Sequence, residues 1–167
     1  MKCHECNLEM AEVREDYHYL ESGLDNVYLS NVCVYKCDCG ESFASIPAVI
    51  KLNEMIGRSI AKKKSRLNGK DIKFLRKNVG LNANSLAEYI GVDKSTVSRW
   101  ETGKQQIDKS HDRIVRIIYA HLKNLPLEEF NSIIEDFKSI IQKDNNLPIY
   151  VPIESLISSQ QFKCAIC

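Results

Sequence analysis

Residues Gly80–Gly103, GLNANSLAEYIGVDKSTVSRWETG, read as two short helices joined by a tight turn, the unit that lays its second helix in the major groove of DNA. Asn82 is placed to cap the first helix, Leu86, Ala87 and Ile90 form its inward face, and Gly91 ends it because glycine enters positive φ without a Cβ clash. Asp93 is placed to cap the second helix. There Val97 and Trp100 turn inward, which leaves Lys94, Ser95, Thr96, Ser98 and Arg99 on or beside the outward face. Arg99 and Lys94 suit guanine edges, Ser95 and Ser98 shorter base contacts, and Thr96 a thymine methyl or the backbone. Thr102, Lys104 and the cap at Asn82 stand where phosphates would pass, while Trp100 and Glu101 are expected to serve the fold.

Working outward, Asp71–Val79 places Ile72, Leu75 and Val79 on one helical stripe beside Phe74. On the other side, Ile107–Leu122 offers Ile114, Ile117, Ile118, His121 and Leu122 as the inward face of a closing helix. Through LNGKDIKFLRK, GL, LAEYIGV, STVSRWETG and DRIVRII, the segment from Leu67 to Lys123 resembles the Xre-type helix-turn-helix family, the Cro and phage-repressor group. Many members carry Gln immediately after the cap of the first motif helix, where it supports the recognition helix and touches the DNA backbone. Here that place is Ala83.

Charge is sorted along the chain. The net value is only +1, yet residues 1–50 hold 3 basic against 9 acidic side chains, residues 51–123 hold 17 against 7, and residues 124–167 hold 3 against 6. A local positive field favours phosphate binding whatever the remote ends carry. The run Lys62, Lys63, Lys64 and Arg66 can equally be a solvated helix surface.

A hydrophobic fraction of 44% with 27% charged residues is ordinary for a globular chain, and no run of eighteen apolar residues or basic-then-apolar leader is present. Neither a membrane span nor a signal peptide is expected, so the expected compartment is the cytoplasm. There, seven cysteines point to metal binding or free thiols rather than a disulfide framework.

The first cysteines form Cys3-His4-Glu5-Cys6, and about thirty residues later NVCVYKCDCGESF contributes Cys33, Cys37 and Cys39. Zinc takes four soft ligands in a tetrahedron, and two short cysteine pairs on tight turns supply them. Asn7 and Gly40, directly after Cys6 and Cys39, tolerate the left-handed conformation such turns need. We take Cys3, Cys6, Cys37 and Cys39 as the ligands. The second pair is C-x-C rather than C-x-x-C, which leaves Cys33 or His4 open as a replacement. In VYLSNVCVYK the alternation reads as strand, with Val27 and Leu29, then after a turn at Ser30 and Asn31 also Val32, Val34 and Lys36, on one side. Cys33 then serves as a small apolar strand residue. Residues 1–46 hold too little apolar surface for an independent core, and a structural metal would supply folding free energy of about 10 kcal/mol.

CHEC, YHYLESGLDNVYLSNVCVYKCDCGE and the Xre-type motif, in that order, resemble the proteins that join a YgiT-type zinc finger to a helix-turn-helix, whose members include MqsA-type antitoxins. The resemblance covers about residues 1–123. It implies a homodimer that binds a palindromic operator through its carboxy-terminal region and represses transcription, with an amino-terminal zinc region free to hold a protein such as a ribonuclease toxin.

Pro47–Lys64 reads as a connecting helix on the stripe Val49, Leu52, Ile56 and Ile60, handing over to a basic linker, with Gly57 and Gly69 as points of give. After Pro126, Leu127, Phe130, Ile134, Phe137 and Ile141, widened by Ile133 and Ile140, form an amphipathic helix that packs on its own chain or on its twin in a dimer. Cys164 and Cys167 form a terminal C-x-x-C with no nearby partners. The expected architecture is mainly α with a small β zinc ribbon: a zinc-binding β domain at 1–46, a connecting helix and basic linker at 47–66, a helix-turn-helix domain at 67–123, and a helix and tail at 124–167. An enzyme is not expected. There is no Ser-His-Asp, paired-carboxylate or phosphate-cradling motif, and His4, His18, His111 and His121 are scattered.

Overall fold

Val27–Lys36 is the strand on which every other strand depends. In a computed structural model describing residues 1–138, 140 and 146–156, it forms β2, and it pairs antiparallel with β1 (Ala11–His18) and β3 (Ser42–Ser45). The alternation of apolar residues along β2 changes phase in the middle. Val27 and Leu29 are buried before the change, Val32 and Val34 after it. The cause is a β-bulge. Asp16 of β1 stands opposite both Ser30 and Asn31, Asn31 takes φ +61°, and its amide donates to the Asp16 carboxylate at 3.4 Å. What the sequence presents as a turn is therefore a one-residue irregularity inside a continuous strand.

A fourth strand comes from far along the chain. Residues Ile149–Pro152 form β4 and lie parallel to β2, with Val27 opposite Ile149 and Leu29 opposite Val151. Val151 is buried, and the Ile149 amide donates to the Asn26 carbonyl at 2.7 Å. The sequence places this segment in the tail, where Pro148 and Pro152 bracket a short apolar run. Proline is tolerated at an edge, where a missing N–H breaks no second ladder, and β4 is such an edge. Cys164, Cys167 and Ile141 lie outside the described residues.

The chain forms two compact bodies. Among the described residues, the first comprises residues 1–20, 25–52 and 148–156, and the second residues 21–24, 53–138, 140 and 146–147. Among the described residues, six α-helices run in order: α1 (Val49–Ala61), α2 (Gly69–Asn78), α3 (Ala83–Ile90), α4 (Lys94–Glu101), α5 (Lys109–Leu122) and α6 (Leu127–Asp136). Mainly helical content with a small sheet and a cysteine cluster at the amino-terminal end is the expected class.

Within the second body the core is built around α5, but not on the face expected from apolar periodicity. The buried residues are Asp112, Val115, Arg116, Tyr119 and Ala120, whereas Ile114, Ile117, Ile118 and Leu122 are only half-buried and His121 is exposed. Counting apolar residues turns the helix outward by treating Asp112 and Arg116 as surface. Here they neutralise each other, with Arg116 Nε donating to Asp112 at 2.9 Å. The guanidinium also donates to the carbonyls of Ala61, Lys63 and Ser65, while Asp112 accepts from the Leu67 amide at 2.7 Å. Full hydrogen bonding is what makes burial of this pair tolerable. The segment read as a basic linker is thereby held at every second residue.

The two glycines read as points of give are points of close approach. A Cβ on Gly57 would come within 2.8 Å of Tyr119 Cζ, and one on Gly69 within 2.5 Å of the Trp100 carbonyl oxygen. Each is required because a side chain would not fit. On α6 the fully buried residue is Ile133, whereas Phe130, Ile134 and Phe137 are half-buried and Leu127 is exposed. Ile133 thus lies at the centre of the apolar face rather than at its margin.

Candidate nucleic-acid interface and metal centre

The first helix of the helix-turn-helix is bounded by the local signals expected for it. Asn82 Oδ1 accepts from the Ser85 amide at 2.9 Å, capping α3, a contact of about 1 kcal/mol. Gly91 ends α3 at φ +82°, and the amides of Gly91 and Val92 both donate to the Ala87 carbonyl, at 2.8 and 3.0 Å. Asp93 occupies the cap position of α4, but its side chain makes no capping hydrogen bond. The turn is held instead by backbone bonds, with the amides of Thr96 and Val97 reaching the Asp93 carbonyl.

Val97 and Trp100 are buried beneath α4, with Leu86 and Ala87 of α3. Lys94, Ser95, Ser98 and Arg99 are exposed, and Thr96 is half-buried. Lys104 is exposed just beyond the helix. Among the described residues, Lys94, Arg99 and Lys104 take part in no ion pair. Four other cations are committed internally: Lys63 to Asp71 at 2.8 Å, Lys62 and Arg58 to Glu129 at 3.0 and 2.8 Å, and Arg116 to Asp112. The Lys62, Lys63, Lys64 and Arg66 run therefore carries less uncompensated charge than its sequence advertises. Thr102 is exposed, but its hydroxyl donates to the Ser98 carbonyl at 2.8 Å, so a phosphate would meet this group only after it rotates.

Beneath α4, Glu101 takes Arg76 of α2 in a two-pronged pair, with Nε at 2.5 Å and Nη2 at 3.0 Å. The same guanidinium donates to the Leu81 carbonyl at 2.8 Å, tying α2, the entry to α3 and the end of α4 to one side chain. Glu101 was expected to be structural; Arg76 was not identified as its partner, since nothing in local spacing couples residues 25 apart.

The cysteine cluster belongs to the first body. The sulfurs of Cys3, Cys6, Cys37 and Cys39 all lie within 4.8 Å of one another, with Cys3 to Cys39 at 3.6 Å and Cys6 to Cys37 at 3.3 Å. Four sulfurs about 2.3 Å from a common zinc ion stand about 3.8 Å apart, so the set could hold a tetrahedral metal ion after small adjustments. Cys33 is buried in β2 opposite Arg14 and Ser45, and neither it nor exposed His4 belongs to the group.

Two tight turns make the cluster. Asn7 at φ +62° closes the first, with its amide on the Cys3 carbonyl at 3.0 Å, and Gly40 at φ +97° closes the second, with its amide on the Cys37 carbonyl at 2.9 Å. Backbone amides also point at sulfur. Those of Cys6 and Glu5 draw the Cys3 thiol down to about 7, and each of the other three sulfurs accepts from one amide, of Leu8, Cys39 and Glu41 in turn. Those amides alone would lower Cys6, Cys37 and Cys39 as well. All three are nevertheless pushed up, because burial and neighbouring sulfurs oppose a second and third negative charge. A cation among the four removes that opposition.

A family model described as a helix-turn-helix matches residues 72–111, so the chain carries a domain of this Xre type spanning α2, α3, α4 and the start of α5. The chain has no significant match among curated proteins or among solved structures. No helix among the described residues is long and apolar enough to cross a membrane.

Proposed function

We propose that this chain is a sequence-specific, cytoplasmic DNA-binding regulator, a repressor that acts as a homodimer on a palindromic operator. The observation that carries this reading is the outer face of α4, where Lys94, Ser95, Ser98 and Arg99 stand exposed while Arg58, Lys62, Lys63 and Arg116 are paired internally. Arg99 and Lys94 would bond guanine edges, Ser95 and Ser98 shorter-range base edges, and Thr96 a methyl or the backbone. Asn82, Thr102 and Lys104 would lie along the phosphates. Each partner of the dimer would take one half-site, the two about one helical turn apart. The role is one of binding, without catalysis.

Cys3, Cys6, Cys37 and Cys39 would hold a structural Zn2+, whose chemistry is to fix the two turns by neutralising thiolate charge. Support comes from the sulfur spacing and the amides aimed at sulfur. Selection of bound fragments from random duplex DNA by the metal-loaded protein tests the main reading: a recurrent half-site repeated with twofold symmetry is expected, and absence of any preferred sequence in low salt overturns it.

A second reading adds a protein partner. Residues 1–50 are strongly acidic, and the sheet exposes a stack of rings from His18 through Tyr28 to Tyr150, with centroids 4.6 and 5.6 Å apart. Acidic charge beside exposed aromatics suits a basic protein such as a toxin, the chain acting then as an antitoxin that also controls its own operon. Copurification of a basic protein with the intact chain, lost on Tyr150→Asp, supports this; unchanged capture by that variant removes the stack from it.

A further inference from the structure

Among the described residues, the sheet of the first body ends on β1 at one side and on β3 and β4 at the other. Two of these edges are blunted. β3 is four residues long, and β4, also four, ends on Pro152 with Pro148 just ahead of it. β1 is different: it runs for eight residues, Ala11–His18, without proline or glycine, and no described strand lies on its outer side. All eight residues are exposed or half-buried, and the extra residue of the bulge belongs to β2, so β1 itself alternates regularly. Backbone amides and carbonyls along such an edge are a template for a further strand unless side-chain charge forbids it.

The charges of β1 select the strand that can join. Two copies pairing antiparallel about a twofold axis normal to the sheet set residues opposite each other on one face, so both members of a pair are odd-numbered or both even. A register centred on Arg14 sets that charge against itself and Glu12 against Asp16, and one centred on Asp16 sets two carboxylates together. Centred on Val13, only five residues of each strand pair. Centred on Glu15, seven pair: Arg14 meets Asp16, Glu12 meets His18 and Val13 meets Tyr17, each twice by symmetry. The two Glu15 side chains at the centre are each bound to Lys36 of their own chain at 2.7 Å.

We propose that β1 is a self-association edge, through which two copies of this chain join antiparallel in the register centred on Glu15 and form one sheet across both. The inference rests on the homodimer reading above and supplies an interface for it. Val13, 39% exposed on the single chain, is then covered by Tyr17 of the second copy. One strand a side makes a small interface, so the association is of the weak, concentration-dependent kind.

Sedimentation equilibrium of the intact, metal-loaded protein over a wide concentration range, with amide hydrogen exchange on the same samples, tests this. A dimer should form as concentration rises, and alternate amides of β1 should exchange more slowly with it while those of β4 do not change. Arg14→Glu sets like charges opposite at two places and should raise the dissociation constant roughly tenfold or more, as should Asp16→Arg. Combining them reverses both pairs and should return it to within about threefold of the original. Arg14 and Asp16 also reach Asn31 of their own chain, at 3.5 and 3.4 Å, so the unfolding temperature of each variant is measured alongside. Damage to the fold would not be repaired by exchanging the charges. A chain monomeric at every concentration overturns the proposal, whether or not a strand of another protein then takes the edge. A dimer unaffected by Arg14→Glu, with unchanged exchange along β1, overturns this edge and leaves the homodimer standing, so the two failures are distinct.

Discussion

Arg76 of α2 and Glu101 of α4 meet through two hydrogen bonds, at 2.5 and 3.0 Å, with their side chains only 11% and 10% exposed. The pair ties the end of α4 to α2. Removing one partner leaves the other charge in a nearly closed site, and Arg76→Met should cost about 2–4 kcal/mol, slightly below the range for fully buried pairs because some water reaches it. Thermal unfolding of the single variants and of Arg76→Met with Glu101→Leu checks this. The double variant should be more stable than the sum of the singles requires.

On the proposed docking, variants of Arg99 and Lys104 should separate reading from gripping. Arg99→Ala should lose about 1–3 kcal/mol at one base position of each half-site and relax the preference there. Lys104→Ala should weaken every duplex alike and reduce the slope of log affinity against log salt by about one. Competition binding on single-substituted operators at several salt concentrations resolves the two, and unchanged operator binding by Arg99→Ala removes the proposed docking.

The cysteine positions sort by metal content. Cys3→Ser and Cys37→Ser should abolish stoichiometric zinc, whereas Cys33→Ser should retain it, because Cys33 lies in β2 outside the sulfur group. Metal analysis of the purified variants reads this directly. Equal loss on replacing Cys33 would put that residue in the ligand set.

Gly57 leaves its space to the phenol of Tyr119. A methyl group there collides with the ring, and Gly57→Ala should destabilise by about 1–3 kcal/mol despite the better helix propensity of alanine. Tyr119→Phe removes the hydroxyl, along with its hydrogen bond to Asn78 at 3.2 Å. Chemical denaturation should show the two changes together costing less than their sum.

How much of this was legible depends on whether the determining interaction is local. Caps, glycines and the buried Val97 and Trp100 of the helix-turn-helix follow from short-range rules, and so the motif could be placed to within a residue or two. The cysteine turns were legible for the same reason, since Asn7 and Gly40 announce positive φ next to a ligand. Asp112 and Arg116 could not be placed by apolar periodicity, because burial of a charge depends on carbonyls from residues 61–65. An Asp–Arg spacing of four on α5 was the available signal. Residues 149–152 become a strand only because the edge of β2 at residues 27–30 accepts them, while β3 takes residues 33–36. Nothing in IYVP between two prolines states that.

The irregularity at Asn31 absorbs a change of parity. Leu29 and Val32 are an odd number of positions apart, yet both are buried, because Ser30 and Asn31 together stand opposite the single residue Asp16. Excising position 31 would leave a plainly alternating strand in which Val32 and Val34 keep their sides and their partners on β1, so the approach to Cys37 is unchanged and the four sulfurs should still meet. Excising one residue between Val32 and Lys36, where no bulge takes up the difference, would turn the strand end that leads into Cys37 to the opposite side. The strand thus tolerates a change of length at one place and not a few positions further on.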